Sequence, residues 1–594
     1  MYLQARIRQF LVWRSKHISN RQFTYIVAVV IGLLSGLAAV TIKNTVHLVE
    51  LILTEGIADV EVADWLYFLY PLLGVLISML VIKFVIRANV GHGIPAALYA
   101  ISKGNGNMPR KDMFSSIITA AITVGFGGSV GLEGPTVATS ASIGSNLGQL
   151  LRMNYKMKTL FIACSAAGAL SAIFNAPVAA IVFAIEVIMI DLTAASLIPL
   201  LLASASAAIT SRFFLGNAIL FHFDLRDGFT SSDVPFYVLL GLACGLFSIY
   251  FSSGYFKVVN VLSRFKNGYV KTLIGGAALG VLVFLIPPLY GEGYETINAL
   301  IEGEASSVTS QFRLFDLGNS FWAVSLALIA IMFIKVIATS ITLNSGGIGG
   351  IFAPTLFVGS TLGFVFSRFF NNFHIANLST SNFTLVSMGG MMAGVLHAPL
   401  TAMFLIAEIT GGYELFVPLM ITTAISFITV KYAVPHSVYN MQLAKRGELI
   451  THHKDQAVLT LMKLSDEIET NFSQVGPYDK LGDLVKLVSC AKRNLFPVID
   501  DQNRFLGVVT LDDIRNIMFD QEKYDKVVVH ELMQAAPDFI YITDTMEVVM
   551  RKFEHSGAWN LPVLDGEKYV GFVSKSRLFN AYRKLLRDFY EVES

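Results

Sequence analysis

Charge and cysteine are scarce in this chain. Only 15% of its 594 residues are Asp, Glu, Lys or Arg, against 54% hydrophobic, and the mean hydropathy is +0.60. An ordinary soluble domain carries about 25% charged residues, so the composition excludes one and points to a polytopic membrane protein. The three cysteines, Cys164, Cys244 and Cys490, match no metal or redox spacing and read as two small hydrophobes and one thiol in a soluble part. A net charge of +1 supplies no basic field for nucleic acid. Charge is also uneven. Residues 451–594 are about a quarter of the chain but hold nearly half of its charges, so a large membrane part precedes a smaller soluble one.

The first 22 residues contain Arg6, Arg8, Arg14, Lys16 and Arg21 and no acid. They lack the short apolar core and cleavage site of a secretory signal, and basic residues beside a first span predict a cytoplasmic N-terminus. The run "FTYIVAVVIGLLSGLAAVTI" (23–42) has no charge and is long enough to cross a bilayer. Further candidate spans are 66–82, 197–210, 234–251, 272–289 and 321–334. Shorter apolar pieces broken by Gly and Pro lie at 93–102, 135–150, 158–174, 177–190, 352–366, 384–396, 399–409 and 415–430. Half-length helices survive at membrane depth only when buried in protein or lining a polar cavity.

An internal repeat organises these pieces. "FNAPVAAIVFAIEVI" (174–188) resembles "LHAPLTAMFLIAEIT" (396–410), aligning Pro177 with Pro399, Glu186 with Glu408 and Asn175 with His397. Upstream, "GGSVGLEGPT" (127–136) resembles "GGIGGIFAPT" (346–355), aligning Pro135 with Pro354 and Glu133 with Phe352. Two halves with broken helices at matched positions are the mark of a transporter whose site lies at the repeat interface. Past residue 450, "NLFPVIDDQNRFLGVVTLDDI" (494–514) resembles "WNLPVLDGEKYVGFVSKSRL" (559–578). Each reads as strand, turn, strand and helix start, and each is too small to be stable alone, so the two are expected to pack together.

The chemistry concentrates at "GLEGPT". Gly134-Pro135 reads as a helix start, with the carboxylate of Glu133 just ahead of unpaired N–H groups at the positive end of the helix dipole. "GGIFAPT" supplies a second start without an acid. Two amide-lined starts aimed at one place, one carrying its own tethered anion, predict a site where Glu133 competes with a mobile anion. Backbone amides suit an ion that must leave again better than Lys or Arg does. Beyond Glu133, the membrane acids sit at repeat-matched helix ends, and structural roles are expected for Glu186 and Glu408. Lys335 is expected to snorkel or be paired, and His397 to serve backbone hydrogen bonding.

These motifs resemble those of the CLC chloride channels and chloride/proton exchangers. "GHGIP" (91–95), "GLEGP" (131–135), "GGIFAP" (349–354) and "SVYNMQLAKRGE" (437–448) follow the family order, and the two C-terminal units resemble a cystathionine-β-synthase-type (CBS) pair. The resemblance implies an all-α polytopic membrane domain of two repeated halves with broken helices, over 23–447. A cytoplasmic α/β CBS pair over 448–594 (about 455–520 and 528–590) would follow. It implies a homodimer in a cell membrane, inner or plasma, that transports chloride and is not an enzyme. Glu133 would be the gating glutamate. The anion would be held by His92, Gly93, Ile94, Gly131, Gly134, Gly350, Ile351 and Phe352, with the Tyr439 hydroxyl on the cytoplasmic side. No cofactor is required, though an adenine nucleotide at the CBS pair would use the [ST]-x-x-D pattern of Thr510 and Asp513; the second copy has Arg577 in place of the acid.

Three departures qualify the resemblance. His92 stands where chloride-selective members have Ser, which opens the choice of anion. Leu132 replaces a basic residue and weakens the electrostatics of the outer mouth. Val187 stands where exchangers carry an internal proton-relaying glutamate, which favours passive, channel-like conduction. The alternatives are a proton-coupled anion exchanger with a different internal proton route and, more distantly, a CBS-regulated cation transporter.

Overall fold

The computed structural model describes residues 9, 11–14, 16–54, 63–87, 93–102, 104–188, 193–216, 228–313, 320–444, 462 and 464–590. It falls into two units, Met1–Leu449 and Ile450–Ser594, each of which is described by itself.

The first unit is helical among its described residues, as lipid demands of a chain whose N–H and C=O groups must pair internally. Its helices are α1 (Asn20–Thr54), α2 (Ala63–Leu80), α3 (Ile94–Ser102), α4 (Asp112–Gly125), α5 (Glu133–Leu150), α6 (Tyr155–Phe174), α7 (Pro177–Glu186), α8 (Ala194–Leu215) and α9 (Val234–Leu262). There follow α10 (Gly268–Leu285), α11 (Tyr294–Glu302), α12 (Ala305–Thr309), α13 (Phe321–Asn344), α14 (Phe352–Asn372), α15 (Thr380–Leu396), α16 (Pro399–Ile409), α17 (Phe416–Ala433) and α18 (Val438–Ala444). Among the described residues, nine helices are long and apolar enough to cross a membrane. The stretches 158–174, 352–366 and 415–430, which read as short pieces, belong to span-length helices of 20, 21 and 18 residues. Their flanking turns, mostly half-buried or exposed, continue the helix beyond the apolar run. The apolar run 272–289 is cut at Leu285, ahead of Pro287-Pro288.

The repeat is structural as well as sequential. α5, α6 and α7 correspond to α14, α15 and α16, and α6 and α15 each end on a residue in the left-handed region, Asn175 at φ 55° and His397 at φ 56°. The His397 ring lies edge-on to Phe427, with centroids 5.7 Å apart. α7 and α16 have 10 and 11 residues, about half the length that spans a bilayer. Their first N–H groups need partners, and each helix takes them from the other half. Glu408, near the end of α16, accepts from the Val178 (3.0 Å) and Ala179 (2.7 Å) amides at the start of α7. Glu186, the last residue of α7, accepts from the Leu400 (3.2 Å) and Thr401 (2.8 Å) amides and the Thr401 hydroxyl (2.7 Å) at the start of α16. This is the structural role expected of both acids, in a two-fold, reciprocal form.

In the second unit, β1 (Leu495–Ile499) and β2 (Phe505–Thr510) pair antiparallel, and β3 (Ile540–Tyr541), β4 (Asn560–Asp565) and β5 (Lys568–Ser574) form a second sheet. β3 runs parallel to β4, and β4 antiparallel to β5. Asp500 closes the β1–β2 turn by accepting from the Arg504 and Gln502 amides and the Arg504 guanidinium. The Arg504 amide leads in holding its carboxyl below the usual range. Phe472, Val508, Tyr569 and Phe572 form one buried cluster drawing on both sheets, so the two similar segments share a core.

The reciprocal caps predict a stability order. Glu408→Leu leaves two N–H groups without their carboxylate, and bonds to a charged acceptor contribute about 2 kcal/mol. Thermal unfolding of the detergent-solubilised protein should show a clearly lowered midpoint for Glu408→Leu and a smaller fall for Glu408→Gln, which keeps one acceptor.

Candidate functional site

The two glycine-rich segments meet. Gly131 donates to the Gly350 carbonyl (2.9 Å) and Gly350 donates to the Gly131 carbonyl (2.8 Å), an antiparallel pair at the pseudo-two-fold. A side chain at Gly350 would place Cβ 2.9 Å from the Gly134 nitrogen, and one at Gly134 would sit 3.1 Å from the Gly350 Cα. Gly93, at φ +60°, brings the start of α3 against the same spot, 3.1 Å from a Cβ position to the Gly134 Cα. Three helix starts therefore converge where only hydrogen fits.

Both helices begin earlier than their prolines suggested. α5 starts at Glu133 and α14 at Phe352, so Pro135 and Pro354 are third residues. Glu133 is thus the first helical residue rather than the one before it. It is 0% exposed. Its Oε1 accepts from the Tyr294 hydroxyl (2.8 Å). Oε2 makes no hydrogen bond of ordinary geometry among the described residues, although the Ala353 amide in the first turn of α14 approaches the carboxylate. The acid of one half therefore sits at the amide tip of the other.

Beside it lies a cavity of about 220 Å³, lined by Gly93, Ile94, Gly134, Gly350, Ile351 and Tyr439 among others. The Tyr439 hydroxyl is buried and finds no partner among the described residues. Tyr255 and Gln442 also line the cavity and bond to one another (3.1 Å). Gly131 and Phe352 flank the cavity without lining it, the Phe352 ring packing on Phe174 at 5.1 Å. His92 lies outside the described residues. Val187, the C-cap of α7, is 7% exposed and carries no titratable group.

Sequence reasoning missed the far side of Glu133. There the segment Gly291-Glu292-Gly293-Tyr294, with glycines at φ 58° and φ 85°, folds over α5. Glu292 accepts from the Leu132 amide (3.0 Å), immediately before Glu133. Lys43 of α1 donates to the Ile173 carbonyl (2.8 Å) and interacts electrostatically with both Glu292 and Glu133. Lys335 does not snorkel. It is fully buried, its Nζ 3.2 Å from the Gly291 carbonyl, 3.4 Å from the Leu289 carbonyl and 4.7 Å from the Phe357 ring centroid. The expectation that membrane acids other than Glu133 sit only at repeat-matched helix ends is thereby corrected. The available signal was "GEGYE" (291–295), a glutamate between two glycines just after an apolar run.

Comparison with known proteins bears on the same segments. Residues 73–431 match the family described as "Voltage gated chloride channel", and residues 466–520 and 529–584 each match the CBS domain. The chain belongs to the CLC family. A putative chloride channel protein ClcB-like of Ralstonia nicotianae is 28% identical over 65% of this chain and 87% of its own length. The H(+)/Cl(-) exchange transporter ClcA of Salmonella typhi is 30% identical over 70% of this chain and 87% of its own. A slow cyanobacterial Cl-/H+ antiporter of known crystal structure shares the fold, with a TM-score of 0.63 at 23% identity, covering 72% of this chain and 98% of that one. As a CLC protein the chain is a multi-pass membrane protein of an anion-transport family, with a C-terminal CBS pair.

In the CBS pair, Asp513 is already engaged. Its Oδ2 accepts from the Thr510 amide and hydroxyl (both 2.7 Å) and its Oδ1 from Gln534 (2.6 Å). In the second copy, Ser574 donates to Glu469 (2.7 Å) and Arg577 to Glu467 (3.2 Å).

The glycine crossing carries a direct test. Gly350→Ala forces a methyl to within 2.9 Å of backbone, and overpacking of this kind costs about 1–3 kcal/mol. Reconstituted Gly350→Ala protein should show a lowered unfolding midpoint and anion flux reduced about tenfold or more, as positioning errors near 1 Å can cost about 100-fold.

Proposed function

We propose that this CLC protein is a proton-coupled chloride exchanger in which the Glu133 carboxylate and the transported anion compete for the amide tips of α5 and α14. The observation that carries the reading is Glu133 itself, fully buried at the tip of α14 and next to a cavity edged by backbone and by the unpartnered Tyr439 hydroxyl. Helix-tip amides hold an anion with about 0.3–2 kcal/mol each way, strong enough to select and weak enough to release. Two unit charges about 4 Å apart repel by about 4 kcal/mol at an effective dielectric constant of about 20, so carboxylate and chloride exclude one another. A proton on Glu133 removes that repulsion, frees the tip for the anion and gives the proton a carrier.

The passive-channel expectation rested on Val187. The Salmonella typhi relative, an H(+)/Cl(-) exchange transporter, supports the exchanger instead. With Val187 at the relay position, the proton on the Tyr439 side must travel by water or another group. On this reading the chain is a homodimer with one path per subunit, embedded in a cell membrane, with its N-terminus and CBS pair cytoplasmic. An adenine nucleotide bound through Thr510 and Asp513 would have to displace the Asp513–Gln534 bond.

Reconstituted liposomes test the coupling. A chloride gradient should drive protons uphill in the wild type, and this movement should vanish in Glu133→Gln, whose anion flux should also lose its dependence on pH. A wild type that passes chloride without moving protons would return the reading to a channel.

A further inference from the structure

Glu133 is sealed from solvent, yet any cycle in which it competes with an anion requires it to gain and lose a proton. A buried carboxylate exchanges protons quickly only through titratable or hydroxylic neighbours. On the cavity side the Tyr439 hydroxyl interacts electrostatically with Glu133. The far side is much better furnished. Tyr294 donates to Glu133 Oε1 at 2.8 Å, and Glu292, two residues earlier on the same strap, is hydrogen-bonded to the amide preceding Glu133. Glu292 interacts electrostatically with Glu133, Lys43 and Glu50, and also with Lys335. Glu50 in turn interacts with His47 and Glu295, both exposed. Exposure rises along this series: Glu133 is sealed, Glu292 and Glu50 are half-buried, and His47 and Glu295 reach solvent.

We propose that Glu292 is a second proton-carrying carboxylate of the transport cycle, through which Glu133 exchanges its proton with solution on the Tyr294 side. The proton leaves the Glu292 carboxylic acid, passes by way of the Tyr294 hydroxyl or one water, and arrives on the Glu133 carboxylate. The return step reverses these transfers, so no group other than the two acids changes charge overall. The groups facing Glu292 suit this role. Lys43 from α1 and Lys335 from α13 are cations that limit the cost of a second buried anion, while Glu133 and Glu50 are acids that prevent both neighbours from being ionised freely with it. The strap supplies the placement: Lys335 holds the Gly291 carbonyl, and the two positive-φ glycines turn Glu292 back toward α5. Lys43, Glu292 and Lys335 also put charge beside position 132, where the chain itself has leucine.

The inference rests on Glu133 as the competing acid, and not on whether proton movement is stoichiometrically coupled. Glu292→Gln is the informative change, because the amide oxygen still accepts from the Leu132 amide but the group cannot give up or regain a proton in this pH range. Anion flux from liposomes bearing the full-length protein would be measured from about pH 5 to about pH 8 for wild type, Glu292→Gln, Glu133→Gln and the double variant. Near-neutral flux should fall about tenfold in Glu292→Gln and its pH dependence should flatten, while Glu292→Asp recovers most of both. In the Glu133→Gln background, where no proton has to reach residue 133, adding Glu292→Gln should leave anion flux unchanged within about twofold. A wild-type pH profile in Glu292→Gln overturns the proposal. So does a double variant clearly slower than Glu133→Gln, which would make Glu292 a support of the path and not a proton carrier. If the wild type moves no protons uphill, the exchanger reading fails, whereas the flattened profile and the silent double variant would still uphold Glu292.

Discussion

Everything at the centre of the membrane unit depends on backbone being allowed to touch backbone. Gly131 and Gly350 exchange two hydrogen bonds, and Gly134 and Gly93 lie within a methyl group's reach of the same point. No Cβ fits on these glycines, so the tips of α5 and α14 are brought side by side, with the Glu133 carboxylate against the crossing. That juxtaposition makes a weakly positive, uncharged surface in the middle of an apolar protein. A lysine there would hold an anion too firmly, and an apolar tip would not hold it at all. The carboxylate of Glu133 then finds its own best position at the neighbouring tip, which is why a tethered acid and a mobile anion can want the same place.

Much of this was legible in the sequence because it is written twice. The repeats of Gly-rich segment plus proline, and of proline plus glutamate, announced broken helices in two related halves, and glycine at 131, 134 and 350 announced close approach. Helix starts were misjudged by two residues because Glu133 and Phe352 take helical geometry before their prolines. Span lengths were underread at 158–174, 352–366 and 415–430, where the helix continues past the end of the apolar run. Lys43 was not legible, and Glu292 only through its two flanking glycines, for a different reason. Neither has a counterpart in the other half, and Lys43 reaches the site from a helix about 90 residues earlier in the chain than Glu133. Only the three-dimensional meeting of α1, the 291–294 strap and α5 makes them neighbours.

The position of Leu132 illustrates how charge can be relocated rather than lost. A leucine beside the buried acid suggested weakened electrostatics at that mouth. The structure instead buries Leu132 and presents its amide to Glu292, while Lys43 and Lys335 approach from other helices. Cations that come from separate elements are held by carbonyls, Ile173 for one and Gly291 for the other, and so have fixed positions. A cation next to Glu133 in sequence would move with it. One fixed elsewhere gives the acid a stationary field to move against.

The crossed glutamates have a consequence for how the chain is made. Glu408 completes the start of α7, and Glu186 completes the start of α16, with 222 residues separating each acid from its repeat partner. While the ribosome has delivered only the first half, the Val178 and Ala179 amides have no carboxylate to meet, and α7 is too short to rest across lipid by itself. The short helix must wait, sheltered by its neighbours or by the insertion machinery, until the later half emerges. Maturation of the two halves is therefore a single late event, and a nascent chain stalled between them is an unfinished object that quality control can recognise.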